Sequence, residues 1–169
     1  TFCLLADVPY YPSEAESLPG QIATQMEDCE FMVHLGDIMA GGTPCTEDQY
    51  TQVRDLMLLS TVPVFMIPGD NEWNDCANID EAYDIWHEKF DDFEKKWGIG
   101  DLDVKRWDSL PENFSFEYRE TLFIGLNLVG GGTLLNLSLY HFLRLNLTFL
   151  LNSVFPVIGT AVHDRAEWR

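Results

Sequence analysis

The sequence predicts an α/β fold in which a mainly parallel β-sheet sandwich is flanked by helices. Three short segments, 2–6, 31–35 and 62–67, are almost continuous in apolar residues, as strands buried on both faces of a parallel sheet are. Helix start signals lie between these segments, and alternating strands and helices predict right-handed βαβ units. With 169 residues and 46% hydrophobic residues, the chain suits a single folded domain, 1–169.

Two helices are predicted from capping boxes, which pair Ser13 with Glu16 and Thr46 with Gln49. Pro19 and Gly20 fall inside the first of these helices, so we expect that helix to be kinked or delayed.

A third helix has the clearest signals. Asn78 is its candidate N-cap, Glu81 follows three residues later, and Gly98 is expected to end it. Its apolar residues recur at spacings of three or four: Ala82, Trp86, Phe90, Phe93 and Trp97. His87 lies on the polar side of this helix and is expected to be solvated.

The second half of the chain begins as a hairpin and then changes composition. Segments 114–118 and 122–128 predict an antiparallel pair around 119–121. Residues 131–160 contain nine leucines, no Asp or Glu, and Arg144 as the only Lys or Arg. We interpret 131–160 as an atypical apolar insertion. The alternative is a genuine pair of core strands, which the alternation of apolar and polar residues at 143–149 favours.

Charge limits the possible partners. The 28 acidic against 10 basic residues give a formal net charge of −18, which repels nucleic acid backbones and anionic membranes. No nucleic acid binding is therefore expected. No membrane span is expected either, because the polar side chains within 131–160 would have to lie in hydrocarbon.

Four cysteines are too few for a disulfide scaffold. Cys45 and Cys76 are expected to lie close together, because each follows a loop at the end of a neighbouring strand; the alternative is two unpaired thiols. If the two are bridged, the chain suits an oxidising, secretory or extracellular compartment. The sequence otherwise leaves the compartment open.

Each of the first three predicted strands runs into an aspartate, namely Asp7, Asp37 and Asp70, at intervals of 30 and 33 residues. The carboxyl ends of parallel strands share one edge of the sheet, where ligands of α/β folds bind. Carboxylates gathered there need protons or cations to offset their repulsion. Oxygen ligands favour ions such as Mg, Mn, Fe or Zn. The simpler interpretation of any one aspartate is a helix cap or an Asx-turn.

Three blocks of the sequence, Asp7, Gly36-Asp37 and Gly69-Asp70-Asn71-Glu72, resemble the signature of the calcineurin-like metallophosphoesterases. The likeness covers about residues 1–130. It implies an αββα sandwich and a hydrolase that cleaves phosphomonoesters or phosphodiesters of small substrates. It also implies two divalent metal ions, which polarise the phosphoryl group and supply a bound hydroxide for attack.

Carried over by residue, the resemblance makes Asp7 a ligand of the first metal and Asp37 the bridge between both metals. Asp70 takes the place of the second-metal Asn. Asn71 takes the place of a His that protonates the leaving group or binds phosphate. A one-residue shift would instead make Asn71 the metal ligand and Glu72 the acid, but the gapless alignment is preferred.

Two departures from the family pattern bear on activity. Pro9 stands where the first motif has a His ligand, and Asn71 replaces the motif His of the third block. His163 is the only candidate for the His ligands of the second half, and the chain stops six residues later. We therefore expect an incomplete domain, and the sequence leaves open whether the missing His ligands lie beyond residue 169.

Two other functions remain open. The loss of both motif histidines favours a catalytically impaired binding or regulatory module with the same fold. Residues 70–81 also match EF-hand positions for a calcium loop, through Asp70, Glu72, Asn74, Cys76, Asn78 and Glu81. However, a strand precedes that segment, and Asp75 stands where the loop needs Gly. The sequence identifies neither the substrate nor the oligomeric state.

Overall fold

The computed structural model describes residues 1–25, 28–99 and 102–128. This part of the chain holds three α-helices, one 3₁₀ helix and two three-stranded sheets. In chain order the elements are β1 (Cys3–Leu5), α1 (Pro12–Gln25), β2 (Met32–His34), α2 (Glu47–Met57), β3 (Val64–Met66), α3 (Ile79–Phe90), the 3₁₀ helix (Phe93–Trp97), β4 (Lys105–Trp107), β5 (Leu110–Tyr118) and β6 (Thr121–Gly125).

The first sheet is parallel, with strand order β1-β2-β3. Its register pairs Leu4 with Val33 and Val33 with Phe65. All three strands lie within the apolar segments that the sequence assigned to them, so the predicted βαβ order is confirmed.

The second sheet is antiparallel, with strand order β4-β5-β6. The predicted hairpin is confirmed as β5 and β6, and Arg119 and Glu120 turn the chain at φ 49° and 60°. The short strand β4 was not predicted. Three of the six described strands are thus antiparallel, so the expectation of a mainly parallel sheet is corrected to one parallel and one antiparallel sheet. The α/β class is confirmed, while the αββα sandwich stays a prediction.

Alternation along the parallel strands explains why their sequences are apolar on both faces. Met32, Val64 and Met66 pack into a cluster with residues of all three helices, including Leu18, Tyr50 and Trp86. Val33 and Phe65 belong instead to an aromatic cluster with residues of the antiparallel sheet: Phe114, Phe116 and Phe123. Strands β2 and β3 are therefore buried on both faces, whereas Leu4 of the edge strand β1 is exposed.

Helix α1 differs from its prediction, because it continues through Pro19 for 14 residues. Its start also differs from the predicted capping box. The Glu14 carboxylate accepts hydrogen bonds from the backbone N–H groups of Tyr10 and Tyr11, at 2.6 and 3.0 Å. A side chain within the first turn thus does the capping. In α2, Thr46 is the N-cap as predicted, but its side chain makes no capping hydrogen bond.

Helix α3 begins as predicted but ends early. Asn78 accepts a hydrogen bond from the Glu81 N–H and donates one to the Glu81 carboxylate, as its assignment as N-cap requires. The helix ends at Phe90, and Asp92 takes a left-handed conformation before the 3₁₀ helix. The apolar spacing concealed this break, since Phe93 packs into the same cluster as Phe90.

His87 is largely buried rather than solvated, with 18% of its side chain exposed. Its Nδ1 lies 2.8 Å from the carboxylate of Asp91, and its Nε2 lies 3.9 Å from that of Glu112 on β5. Burial lowers the pKa of His87, but the Asp91 hydrogen bond and the charges of Asp91, Glu112 and Asp84 outweigh it and raise the pKa. His87 therefore links α3 to the antiparallel sheet, and the carboxylates around it favour its charged form.

The raised pKa of His87 predicts a pH-dependent contribution to stability. The protonated ring binds two carboxylates only in the folded state, so its contribution is full below about pH 6.5 and is lost as pH rises through the folded-state pKa. The difference in unfolding free energy between the unmutated chain and His87→Gln should shrink as pH rises above about 6.5. This difference is measured by urea unfolding at several pH values, with a chelator present so that metal ions do not contribute.

The control is Lys95→Gln, which removes an exposed ion pair with Asp92 and leaves His87 in place. Its difference in unfolding free energy from the unmutated chain should stay constant over this pH range. A His87→Gln difference that is flat with pH would contradict the link.

Several expectations fall outside the described residues. These are the proposed insertion at 131–160, which stays a prediction, and the position of His163. Among the described residues, no helix is both long enough and apolar enough to cross a bilayer.

Candidate functional site

Asp7 and Asp37 follow β1 and β2 in the same unusual backbone conformation. Their φ angles are 58° and 57°, in the left-handed region that Asp tolerates better than most residues. The Asp7 N–H donates to the Gly36 carbonyl oxygen at 3.2 Å. The two aspartate loops are therefore joined by their backbones at the carboxyl edge of the sheet.

The loops after β2 and β3 touch at their glycines. A Cβ added to Gly36 would lie 2.2 Å from the Gly69 backbone nitrogen, and one added to Gly69 would lie 2.1 Å from the Asp37 carboxylate. Neither position has room for a side chain. The Gly before each Asp in the two blocks is thus required by the close approach of the loops.

Glu72 connects these two loops from beneath. Its side chain is fully buried, and its Oε1 accepts hydrogen bonds from the N–H groups of Asp37 and Gly69, at 3.1 and 2.6 Å. The other oxygen, Oε2, has no hydrogen-bond partner among the described residues. Burial, reinforced by the charge of Asp37, raises the pKa of Glu72 to about 8 despite the Gly69 hydrogen bond.

Tyr10 lies at the centre of the edge. Its hydroxyl oxygen is 2.9 Å from Asp7 Oδ1 and 3.1 Å from Asp37 Oδ2, and it accepts a hydrogen bond from Asn71 Nδ2 at 3.2 Å. Burial and the two carboxylates raise the pKa of the Tyr10 phenol well above its ordinary value. The sequence analysis did not single out Tyr10. The usable signal was that Tyr10 directly follows Pro9, which stands where the first motif has a His ligand.

Asp70 and Asn71 complete the group. The Asn71 N–H lies 3.4 Å from Asp37 Oδ1. Burial raises the pKa of Asp37, and the charges of Asp70 and Asp7 add to this. Both other aspartates are therefore close enough to Asp37 to act on its charge.

His34 lies below the site rather than in it. It is fully buried, its Nε2 lies 2.9 Å from the Val8 carbonyl oxygen, and its Nδ1 accepts from the Gly36 N–H at 3.2 Å. This pattern assigns the proton to Nε2. Burial lowers the pKa of His34 to about 4, so a neutral ring connects the loops after β1 and β2.

A disulfide lies against the loop that carries Asn71. Cys45 and Cys76 are bonded, with a Cα separation of 5.9 Å, which confirms that they lie close together. Their sulfur atoms lie 3.8 and 3.7 Å from the Asn71 carbonyl oxygen. The bond thus connects the loop after β2 to the loop after β3. A second disulfide, Cys3–Cys29, was not predicted and lies at the amino end of β1.

The structure brings together Asp7, Asp37 and Asn71 around Tyr10, with Asp70 beside them and Glu72 beneath. Their roles as ligands or catalytic groups stay predictions. The calcium loop at 70–81 does not fit, because Glu72, its third position, is fully buried and accepts hydrogen bonds from the N–H groups of Asp37 and Gly69. The strand β3, rather than a helix, precedes that segment.

The donor set at this edge fits a hard metal ion. Within the described ranges, no group of three or more His, Cys, Asp and Glu side chains is placed to hold one. The carboxylates of Asp7 and Asp37 nevertheless both lie near one point, which the Tyr10 oxygen marks. Tyr10 adds a phenol oxygen and Asn71 adds an amide oxygen to these carboxylates. The residues present therefore offer the oxygen ligands that Mg²⁺ and Mn²⁺ prefer.

The disulfide position gives a prediction about the site. Removing Cys45–Cys76 by the double change Cys45→Ser, Cys76→Ser should cost about 3 kcal/mol of stability and weaken Mn²⁺ binding by about tenfold or more, because the Asn71 loop loses its support. Urea unfolding and titration calorimetry measure the two effects.

The matched control is Cys3→Ser, Cys29→Ser, which removes a bridge at the other end of the sheet. It should cost a similar free energy of unfolding, about 3 kcal/mol, and leave Mn²⁺ affinity unchanged. Equal losses of Mn²⁺ affinity in both double variants would show that the Cys45–Cys76 bond has no local role.

Comparison with known families identifies the family of the chain. A family model described as calcineurin-like phosphoesterase matches residues 11–153. Asp7 and Tyr10 lie just before that range, and both Gly–Asp loops lie within it. No curated protein is similar enough to count as a match. Because the matched range covers most of the sequence, the chain belongs to the calcineurin-like phosphoesterase family.

Proposed function

We propose that the chain is a metal-dependent phosphoesterase that acts on small phosphomonoesters or phosphodiesters at the carboxyl edge of the parallel sheet. The observation that carries the proposal is the shared contact of Asp7 and Asp37 around one point, in a chain of this family. When bound, two divalent ions would supply positive charge that polarises the phosphoryl group of the substrate and activates a water molecule.

The aspartates would hold the ions. Asp37 is assigned the bridging position, because its two carboxylate oxygens face different neighbours: Oδ2 faces Tyr10 and Oδ1 faces the Asn71 N–H. Asp7 would bind on the first side, and Asp70, whose charge acts on Asp37, would bind on the second.

Asn71 and Glu72 are assigned different tasks. The Asn71 amide is at the edge and would orient a phosphoryl oxygen, since it carries N–H donors but no titratable proton for a leaving group. Glu72 is buried and bonded to two backbone N–H groups, which supports the gapless alignment over a shift that makes Glu72 the acid. The part of His163, the candidate for the His ligands of the second half, stays a prediction.

A second function, a binding or regulatory module with the same fold, is favoured by one observation. Pro9 and Asn71 replace the two motif histidines, and the Asn71 side chain donates to Tyr10. Such a module would bind metal and phosphate without rapid hydrolysis. An assay that measures binding and turnover separately distinguishes the two functions.

Asp37→Asn tests the proposal. Asn tolerates the left-handed conformation, so the loop should keep its shape while the bridging charge is lost. Mn²⁺ affinity, measured by calorimetry, should fall by more than about tenfold. Hydrolysis of p-nitrophenyl phosphate and of its diester, assayed with Mn²⁺, should fall with it.

The control is Asp55→Asn, an exposed aspartate on α2 that pairs only with its neighbour Arg54 among the described ion pairs. It should bind Mn²⁺ like the unmutated chain. Unchanged Mn²⁺ affinity in Asp37→Asn would contradict the metal site, whereas normal Mn²⁺ binding with no turnover would favour the binding module.

A further inference from the structure

We propose that Tyr10 is a metal ligand whose phenol oxygen replaces the imidazole that Pro9 cannot provide. The inference rests on the metal site of the proposed function and deepens it, because it names the class of ion. With Tyr10 as a ligand, the site is built from oxygen donors and takes hard ions, such as Fe³⁺, Mn²⁺ or Mg²⁺, in preference to Zn²⁺.

The spacing of the oxygens supports this role. Neighbouring ligands of an octahedral ion with metal–oxygen distances of about 2.1 Å lie roughly 3 Å apart. The Tyr10 oxygen lies 2.9 Å from Asp7 Oδ1 and 3.1 Å from Asp37 Oδ2. These three oxygens from two loops can therefore share one ion with little rearrangement.

A count of protons at Tyr10 points the same way. The phenol has one proton to donate, yet its oxygen is within hydrogen-bond distance of two carboxylates and already accepts a bond from Asn71 Nδ2. Only one of the two carboxylate contacts can be a hydrogen bond from the phenol. The other needs a proton or a cation between the oxygens, and an ion bound at this point would satisfy both contacts at once.

Histidine ligands from the described part of the chain are already engaged elsewhere. Both ring nitrogens of His34 contact backbone groups, and His87 lies between Asp91 and Glu112. Asp7 is exposed, so an ion can reach the phenol from solvent. Binding would form one metal–oxygen bond and release the phenol proton to bulk water, with no change of oxidation state.

The test compares Tyr10→Phe with Tyr11→Phe in the full chain. Ferric ion, delivered as its nitrilotriacetate complex, should produce a phenolate-to-iron charge-transfer band in the visible spectrum of the unmutated chain. Tyr11 is 63% exposed and next in sequence, so Tyr11→Phe should keep the band, and Tyr10→Phe should lose it. Calorimetry should show Mn²⁺ affinity reduced by about tenfold in Tyr10→Phe only.

Tyr10→His serves as a second variant, because it keeps a ligand atom but no phenol. It should show no band and bind Mn²⁺ more tightly than Tyr10→Phe. A visible band that persists in Tyr10→Phe, or Mn²⁺ affinity equal to that of the unmutated chain, overturns the role of Tyr10 while leaving the proposed function standing. If neither ion binds the unmutated chain, the proposed function fails and the Tyr10 inference fails with it.

Discussion

The contact between the two Gly–Asp loops is the constraint on which the carboxyl edge of the sheet depends. Gly36 and Gly69 approach so closely that a methyl group at either one would overlap backbone or carboxylate atoms. Glu72 accepts one hydrogen bond from each loop beneath this contact, and Tyr50 donates to the Glu72 carbonyl oxygen at 2.5 Å. The positions of Asp37 and Asn71 follow from this arrangement.

The same edge of the sheet concentrates carboxylates. Burial raises the pKa of Asp37 and of Glu72. The charges of Asp70 and Asp7 add to the rise at Asp37, and the charge of Asp37 adds to the rise at Glu72. A buried carboxylate without a cation is costly, because the charged form loses hydration. Any cation that binds here in the folded state and not in the unfolded chain would therefore stabilise the protein by mass action, and its binding would be coupled to folding.

The sequence predicted those parts of the fold that depend on short-range patterns. Strands β2 and β3 were recognisable because burial on both faces makes them continuously apolar. Asn78 was recognisable because capping uses neighbouring residues. The break at Asp92 was hidden, since Phe93 stays in the core on either side of it.

The candidate site divides in the same way. The aspartates were recognisable from their place at strand ends, and the closeness of Cys45 and Cys76 from their place after neighbouring loops. Tyr10 was not recognisable, because its position depends on contacts of its side chain with residues of the loops after β2 and β3, which lie far from it in sequence. Neither was the Cys3–Cys29 pair, because spacing alone does not specify a disulfide partner.

The left-handed backbone at Asp7 and Asp37 has an evolutionary consequence. At such φ angles most side chains are strained, and only Gly, Asn and Asp are well tolerated. The backbone conformation therefore limits which residues can replace these two aspartates, in addition to any limit set by the function of their carboxylates. A descendant that no longer needed the carboxylates would be expected to carry Asn or Gly there rather than an arbitrary residue. Such a protein would keep the shape of the edge after losing its charge.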